Sequence, residues 1–244
     1  MAHAAYRLAS MIVLAFDTCF DACSVCVAQS REAGITELAS ALERFETGHA
    51  ERLIPMIEEA MRNAGLAFEA IDRVAVTTGP GTFTGTRIGV AAARGIALST
   101  GVATVGVSSL AVMAEVARRE LGDLPKDADL AVAVDARRGQ AYAQLFGASG
   151  LEAKSPLQLL TIEATSRLGD RPLVVVGSAA ETVVAAADSA RSLSAKLPRL
   201  LPDAAALARM ACALPASQAP LVPLYLRPPD AKPQEGKAIA RAQQ

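Results

Sequence analysis

Cys19, Cys23 and Cys26 stand in the spacing C-x3-C-x2-C. Radical-SAM enzymes hold an iron–sulfur cluster with cysteines so spaced, and thiolates suit such clusters. The element beneath them argues otherwise. Cys23–Gln29 reads as a strand, and residues three apart on a strand point to opposite faces. The plainer reading is small buried residues in a hairpin. Cys212 stands alone, and no disulfide framework is expected of thiols kept reduced. His49 and Glu51 could be imagined as a metal pair, but the other histidine is His3 and there is no H-E-x-x-H arrangement. His49 is expected to cap or abut the helix that follows, where the dipole favours Glu51. No metal, cofactor or catalytic residue is expected.

GPGTFTGTRIG (Gly79–Gly89) is a glycine-rich turn between a strand and a helix, whose amides could cradle an anion. No Gly-Lys-Ser/Thr closes it, and Thr84 stands where a dinucleotide fingerprint needs its third glycine. Packing is the stronger use. Gly85, Gly89 and Ala93 recur every four residues, with Ala92 beside them. Arg87 and Arg94 are the only charges of that helix, so it is either wholly buried or shared with a partner. Leu53, Ile54, Met61, Gly85, Gly89, Ala92, Ala93 and Ile96 form the expected partner interface. The alternative is that the stripe packs inside the chain against its own sheet. Farther on, DARRGQAY places Arg137 and Arg138 at a turn, either as anion or partner contacts or as a solvated hairpin tip.

These residues need elements to hold them. Met11–Asp17, Cys23–Gln29 and Ile35–Phe45 read as a meander of strands. Glu51–Ala64 carries one apolar stripe at helical spacing and stops at Gly65. Strand Arg73–Thr78, helix Thr84–Ser99, strand Ala103–Val107 and helix Ser108–Leu121 follow, an α/β order. GDLPKDAD (Gly122–Asp129) is the expected boundary. Strands Leu130–Asp135, Gln140–Phe146, Gln158–Leu160 and Pro172–Gly177 follow, and then helices Ala179–Ala187 and Asp203–Leu214. The expected organisation is an extension over 1–10, halves over 11–121 and 130–228, and a polar tail over 229–244. The two apolar strands that end in Asp17 and Asp135 suggest a duplication.

Composition bounds the function. The chain is 52% hydrophobic and 20% charged, which excludes a disordered protein. Its net charge of -1 supplies no global field for nucleic acid, though a local patch stays open. The charge-free run between Arg94 and Glu115 has nearly a spanning length, but glycines and hydroxyls interrupt it. Arg7 before MIVLAF imitates an export signal with too short an apolar run. A soluble, cytoplasmic chain without a membrane partner is expected.

DTCFDACSV, HAERLIPMI, GPGTFTGTRIG, GVSSL, DARRGQAY and PLYLRPPDAKP, in this order from Asp17 to Pro233, resemble the TsaB (YeaZ) family of tRNA threonylcarbamoyladenosine biosynthesis. The resemblance implies an actin/hexokinase-like (ribonuclease H-like) duplicated fold with two α/β halves. It implies a non-catalytic scaffold that binds TsaD, the transferase paralogue, with TsaE in a ternary complex. It also implies a homodimer when alone, and contact with tRNA only through the complex. The departures from a working nucleotide site agree with that role. The turn Asp17–Ala22 lacks glycine and carries Phe20, and Arg137 and Arg138 occupy the second turn. Ser108, Ser109 and Leu110 stand where TsaD-like chains carry a metal-binding histidine pair. Val174–Ala180 (VVVGSAA) resembles the superfamily's adenosine element. Cys19 and Cys26 replace the family's more usual Ser and Ala. The alternative function is an ATP-dependent transferase or kinase of the actin-like superfamily. A glycopeptidase would need a nucleophile–base pair or metal ligands, and the sequence offers neither.

Overall fold

The apolar run that ends at Asp17 lies in the middle of a sheet, which is why it needs no polar alternation. In the computed structural model, which describes residues 10–148 and 152–227, this strand is β1 (Ser10–Asp17). It pairs antiparallel with β2 (Ala22–Arg31), and β2 pairs antiparallel with β3 (Gly34–Arg44). On its other side it pairs parallel with β4 (Arg73–Thr77), followed by β5 (Ala103–Val107). Parallel neighbours need crossovers. Helix α1 (His49–Asn63), a 3-10 turn at Phe68–Ala70 and helix α2 (Phe83–Thr100) supply them. Leu53, Met56, Ile57, Ala60 and Met61 bury the apolar stripe of α1. Thr82 caps α2, accepting from Gly85 N, and Ser108 caps α3 (Ser109–Leu121), accepting from Ala111 N.

The second sheet repeats the first. β6 (Asp129–Asp135) pairs antiparallel with β7 (Gln140–Phe146) and parallel with β9 (Leu173–Val176). β8 (Gln158–Thr161) flanks β7, and β10 (Leu193–Lys196) flanks β9. The orders β3-β2-β1-β4-β5 and β8-β7-β6-β9-β10 are one topology used twice. This is the duplicated actin/hexokinase-like arrangement expected from the resemblance. Short helices α4 (Ile162–Ser166) and α5 (Ala180–Ala185) serve the second sheet.

Helix α6 (Ala204–Ala213) lies near the end of the described chain yet packs on β1 and β2. Its alanines let it approach closely. Ala204, Ala206, Leu207, Ala208 and Ala211 join one core with Val13, Ala15 and Ala75 of the first sheet. The same core takes in Leu110, Met113 and Ala117 of α3, and Leu130 and Val132 of the second sheet. The opposite face of the first sheet is covered by α1 and α2. Cys23 lies in that cluster and Cys26 in the shared core, so the two thiols face opposite sides of β2.

Three elements went unread in the sequence: β10, α4 and the 3-10 turn. Each has five residues or fewer, too short for a period to show. The first strand also begins at Ser10, inside the expected extension, because Ser10 pairs with Arg31. The rest of that extension, over 1–9, and the polar tail over 229–244 lie outside the described residues. No helix among the described residues is long and apolar enough to cross a membrane.

Candidate functional site

β1 ends in a carboxylate because its last side chain turns into a buried polar cluster. Asp17 is 1% exposed. Its Oδ1 accepts a short hydrogen bond from the Thr77 hydroxyl at the end of β4, and one of 3.3 Å from Cys19 N. The Cys19 thiol donates to Thr77 Oγ1 at 3.2 Å, so thiol, hydroxyl and carboxylate form a chain. Burial pushes the Asp17 carboxyl up to about 6, and the Thr77 and Cys19 hydrogen bonds partly oppose it. Burial, then the Asp17 charge, raises the Cys19 thiol. A thiol so held stays protonated and is not a nucleophile. His49 Nε2 lies 2.7 Å from Phe20 O. A carbonyl only accepts, so Nε2 carries the hydrogen and pins the turn. His49 thus abuts the start of α1, as expected, and its ring meets the Phe45 ring edge-on.

The glycines of GPGTFTG are consumed by this turn. A Cβ on Gly81 would stand 2.2 Å from Cys19 O, and one on Gly85 2.0 Å from Thr18 O. Thr82 N donates to Cys19 O at 2.6 Å, and Thr18 Oγ1 donates to Gly85 O at 2.7 Å. Thr82 N is thereby spent on a backbone carbonyl and Gly85 N on Thr82 Oγ1, amides that an anion cradle would need. The partial negative charge of the Thr18 and Cys19 carbonyls opposes a phosphate.

This geometry corrects the expected partner interface. Gly85, Gly89 and Ala93 are buried within the chain, Gly89 against Thr18 Oγ1 and Val76. Leu53 and Met61 are buried as well. The small-residue stripe serves close approach of α2 to the β1–β2 turn and the sheet. Ile54, Ala92 and Ile96 keep surface positions. They are joined by Leu98, which is 89% exposed and was not singled out in the sequence.

The second turn faces the first across a cleft of about 410 Å³ lined by Phe20, Asp21, Thr82, Asp135, Arg137 and Ser178 among others. Arg137 and Arg138 both adopt positive φ, at 62° and 56°. Asp135 Oδ1 steadies the turn by accepting from Arg137 N at 2.8 Å. Arg137 thus lines the cleft, while Arg138 is not among the lining residues. In the Val174–Ala180 element only glycine fits at 177. Gly177 has φ 98°, and a Cβ there would stand 2.5 Å from Ala133 O.

A second surface was invisible in the sequence. Phe83 and Tyr225 are the exposed aromatics among the described residues, and their ring centroids lie 5.4 Å apart. The Arg87 guanidinium stacks 3.7 Å over Phe83, and its Nε donates to Tyr225 Oη at 2.6 Å. Leu224 N donates to Thr78 O at 2.7 Å and holds the Tyr225 segment beside the glycine loop. No local pattern could reveal a pair so far apart in the chain.

Known proteins resemble this chain along its length. A family profile described as TsaD, tRNA N6-adenosine threonylcarbamoyltransferase, matches residues 43–154. The tRNA threonylcarbamoyladenosine biosynthesis protein TsaB of Haemophilus influenzae is 34% identical over 134 residues, 54% of this chain and 52% of that protein. The chain thus spans about half the length of the curated TsaB relatives it matches. An uncharacterised protein of Mycobacterium tuberculosis is 31% identical over 229 residues, 93% of this chain and 97% of that one. The structure of YeaZ from Pseudomonas aeruginosa is 30% identical with a TM-score of 0.72, covering 88% of this chain and 100% of that one.

Proposed function

This chain belongs to the TsaB (YeaZ) family, and from that premise we propose that it serves tRNA threonylcarbamoyladenosine biosynthesis as a non-catalytic subunit that binds a TsaD-type transferase. One observation carries the non-catalytic part. In the glycine loop Thr82 N already donates to Cys19 O and Gly85 N to Thr82 Oγ1, so these two amides are spent on the chain itself and not offered to a phosphate. The transferase chemistry then belongs to the partner, with TsaE as a third subunit.

The partner face in this reading is the outer side of α1 and α2. Ile54 is 45% exposed and Leu98 more so, and Ala92 and Ile96 are half-buried. Exposed apolar side chains on neighbouring helices support a contact surface. A second copy of this chain and the transferase would compete for it. The test is co-expression with TsaD from the same organism, followed by size-exclusion chromatography and a threonylcarbamoyl-transfer assay on tRNA. A co-eluting pair that transfers faster than TsaD alone is expected. Separate elution with unaltered transfer would refute the proposal.

A further inference from the structure

We propose that Phe83, Arg87 and Tyr225 form a platform on which this chain stacks an unpaired base of RNA. The two exposed aromatics of the described chain touch each other, and an arginine cements them. Solitary exposed apolar residues need no explanation, but a preorganised cluster does. Phe83 is 48% exposed and Tyr225 43%. Stacking aromatics beside a guanidinium is the arrangement that receives single-stranded bases. Rings held by packing and a hydrogen bond lose little freedom when a base arrives.

The two segments that build the platform carry arginine and no carboxylate, although the whole chain has a net charge of -1. Residues 73–114 hold no Asp or Glu, and of their charges, Arg73, Arg87 and Arg94, it is Arg87 that belongs to the platform. Residues 204–229, which supply Tyr225, also hold no acid, and their charges are Arg209 and Arg227. Both segments that build the platform are thus free of carboxylates in a chain with 25 acids. Asp21 lines the adjoining cleft with Thr82, so the acid-free zone is local. Among the described residues Arg87 uses only Nε in a hydrogen bond, and the rest of its fork suits a phosphate oxygen. A protein hot spot would also use Tyr and Arg. The missing carboxylates favour RNA over that occupant.

The platform itself rests on geometry. The choice of RNA also rests on the family reading, and here the chain meets RNA directly and not only through a complex. The test uses the full chain and a stem–loop RNA with 2-aminopurine in its unpaired loop, at low salt. Fluorescence anisotropy should show the stem–loop bound more tightly than a blunt duplex of equal length, with 2-aminopurine quenched. Phe83→Leu and Tyr225→Leu keep apolar bulk and remove the π face. Each should weaken binding about 5- to 150-fold with an unchanged melting temperature. Arg87→Ala serves as a third variant should either ring variant misfold. Equal affinity for stem–loop and duplex, or leucine variants that bind like the parent, would overturn the proposal. So would leucine variants that lose TsaD while RNA binding is unchanged, which would make the cluster a protein anchor. Loss of TsaD association by the parent chain, with stem–loop binding intact, would sink the scaffold reading alone.

Discussion

Asp17 closes β1 inside the core, where its carboxylate meets the Thr77 hydroxyl at the end of β4. The burial of Asp17 has a consequence for stability. Its carboxyl is raised from 3.8 to about 6, so the folded state holds its proton over a range where the unfolded chain has released it. Its contribution is full below about 3.8 and is lost as pH rises to about 6. Asp17→Asn keeps an oxygen acceptor for Thr77 and removes the titration. The variant should be more stable than the parent at pH 7 by about 1–3 kcal/mol and lose this part of the pH dependence. Urea denaturation at pH 4 and pH 7 checks it, and an equal offset at both values would refute the assignment to Asp17.

At the scale of elements, the helix over α2 was legible from its composition, but its buried side was not. A stripe of small residues fits equally well against a partner helix or against the chain's own turn. The distinction lies in where Thr18 and Cys19 place their carbonyls, which no periodicity reports. Two glycines of this one helix therefore predict opposite outcomes. Gly85→Ala would set a Cβ against the fixed Thr18 carbonyl and should cost about 3 kcal/mol. Gly95→Ala meets open space in an exposed stretch and should stabilise by about 1 kcal/mol. Thermal melts of the two variants decide this, and two changes of the same sign would place the stripe wrongly. The outer face gives a separate prediction. Leu98→Lys puts a cation near the C-terminus of α2, where the dipole favours it, and Ile54→Glu suits the N-terminal half of α1. Both should melt like the parent and weaken association with TsaD at least tenfold. Undiminished binding would move the interface elsewhere.

For the molecule as a whole, the duplication was only hinted at by the two strands that end in Asp17 and Asp135. The repeated strand order makes it plain. Of the two turns that face the cleft, the first gives its Thr18 and Cys19 carbonyls to the glycine loop, and the second carries Arg137 at its tip. Titration calorimetry with ATP and magnesium should register no heat of binding, and Asp17→Ala should leave any background hydrolysis unchanged. Tight magnesium-dependent binding would restore the kinase-like alternative. Helix α6 carries a different consequence, one that belongs to synthesis on the ribosome. The face of the first sheet bearing Val13, Ala15 and Ala75 is sealed by residues 204–213. A chain emerging at about 5–20 residues per second completes that sheet several seconds before its cover exists. During that interval the nascent first half presents a sticky apolar face, so chaperones should engage it there. Termination before Ala204 should yield an aggregating fragment and not a smaller folded domain.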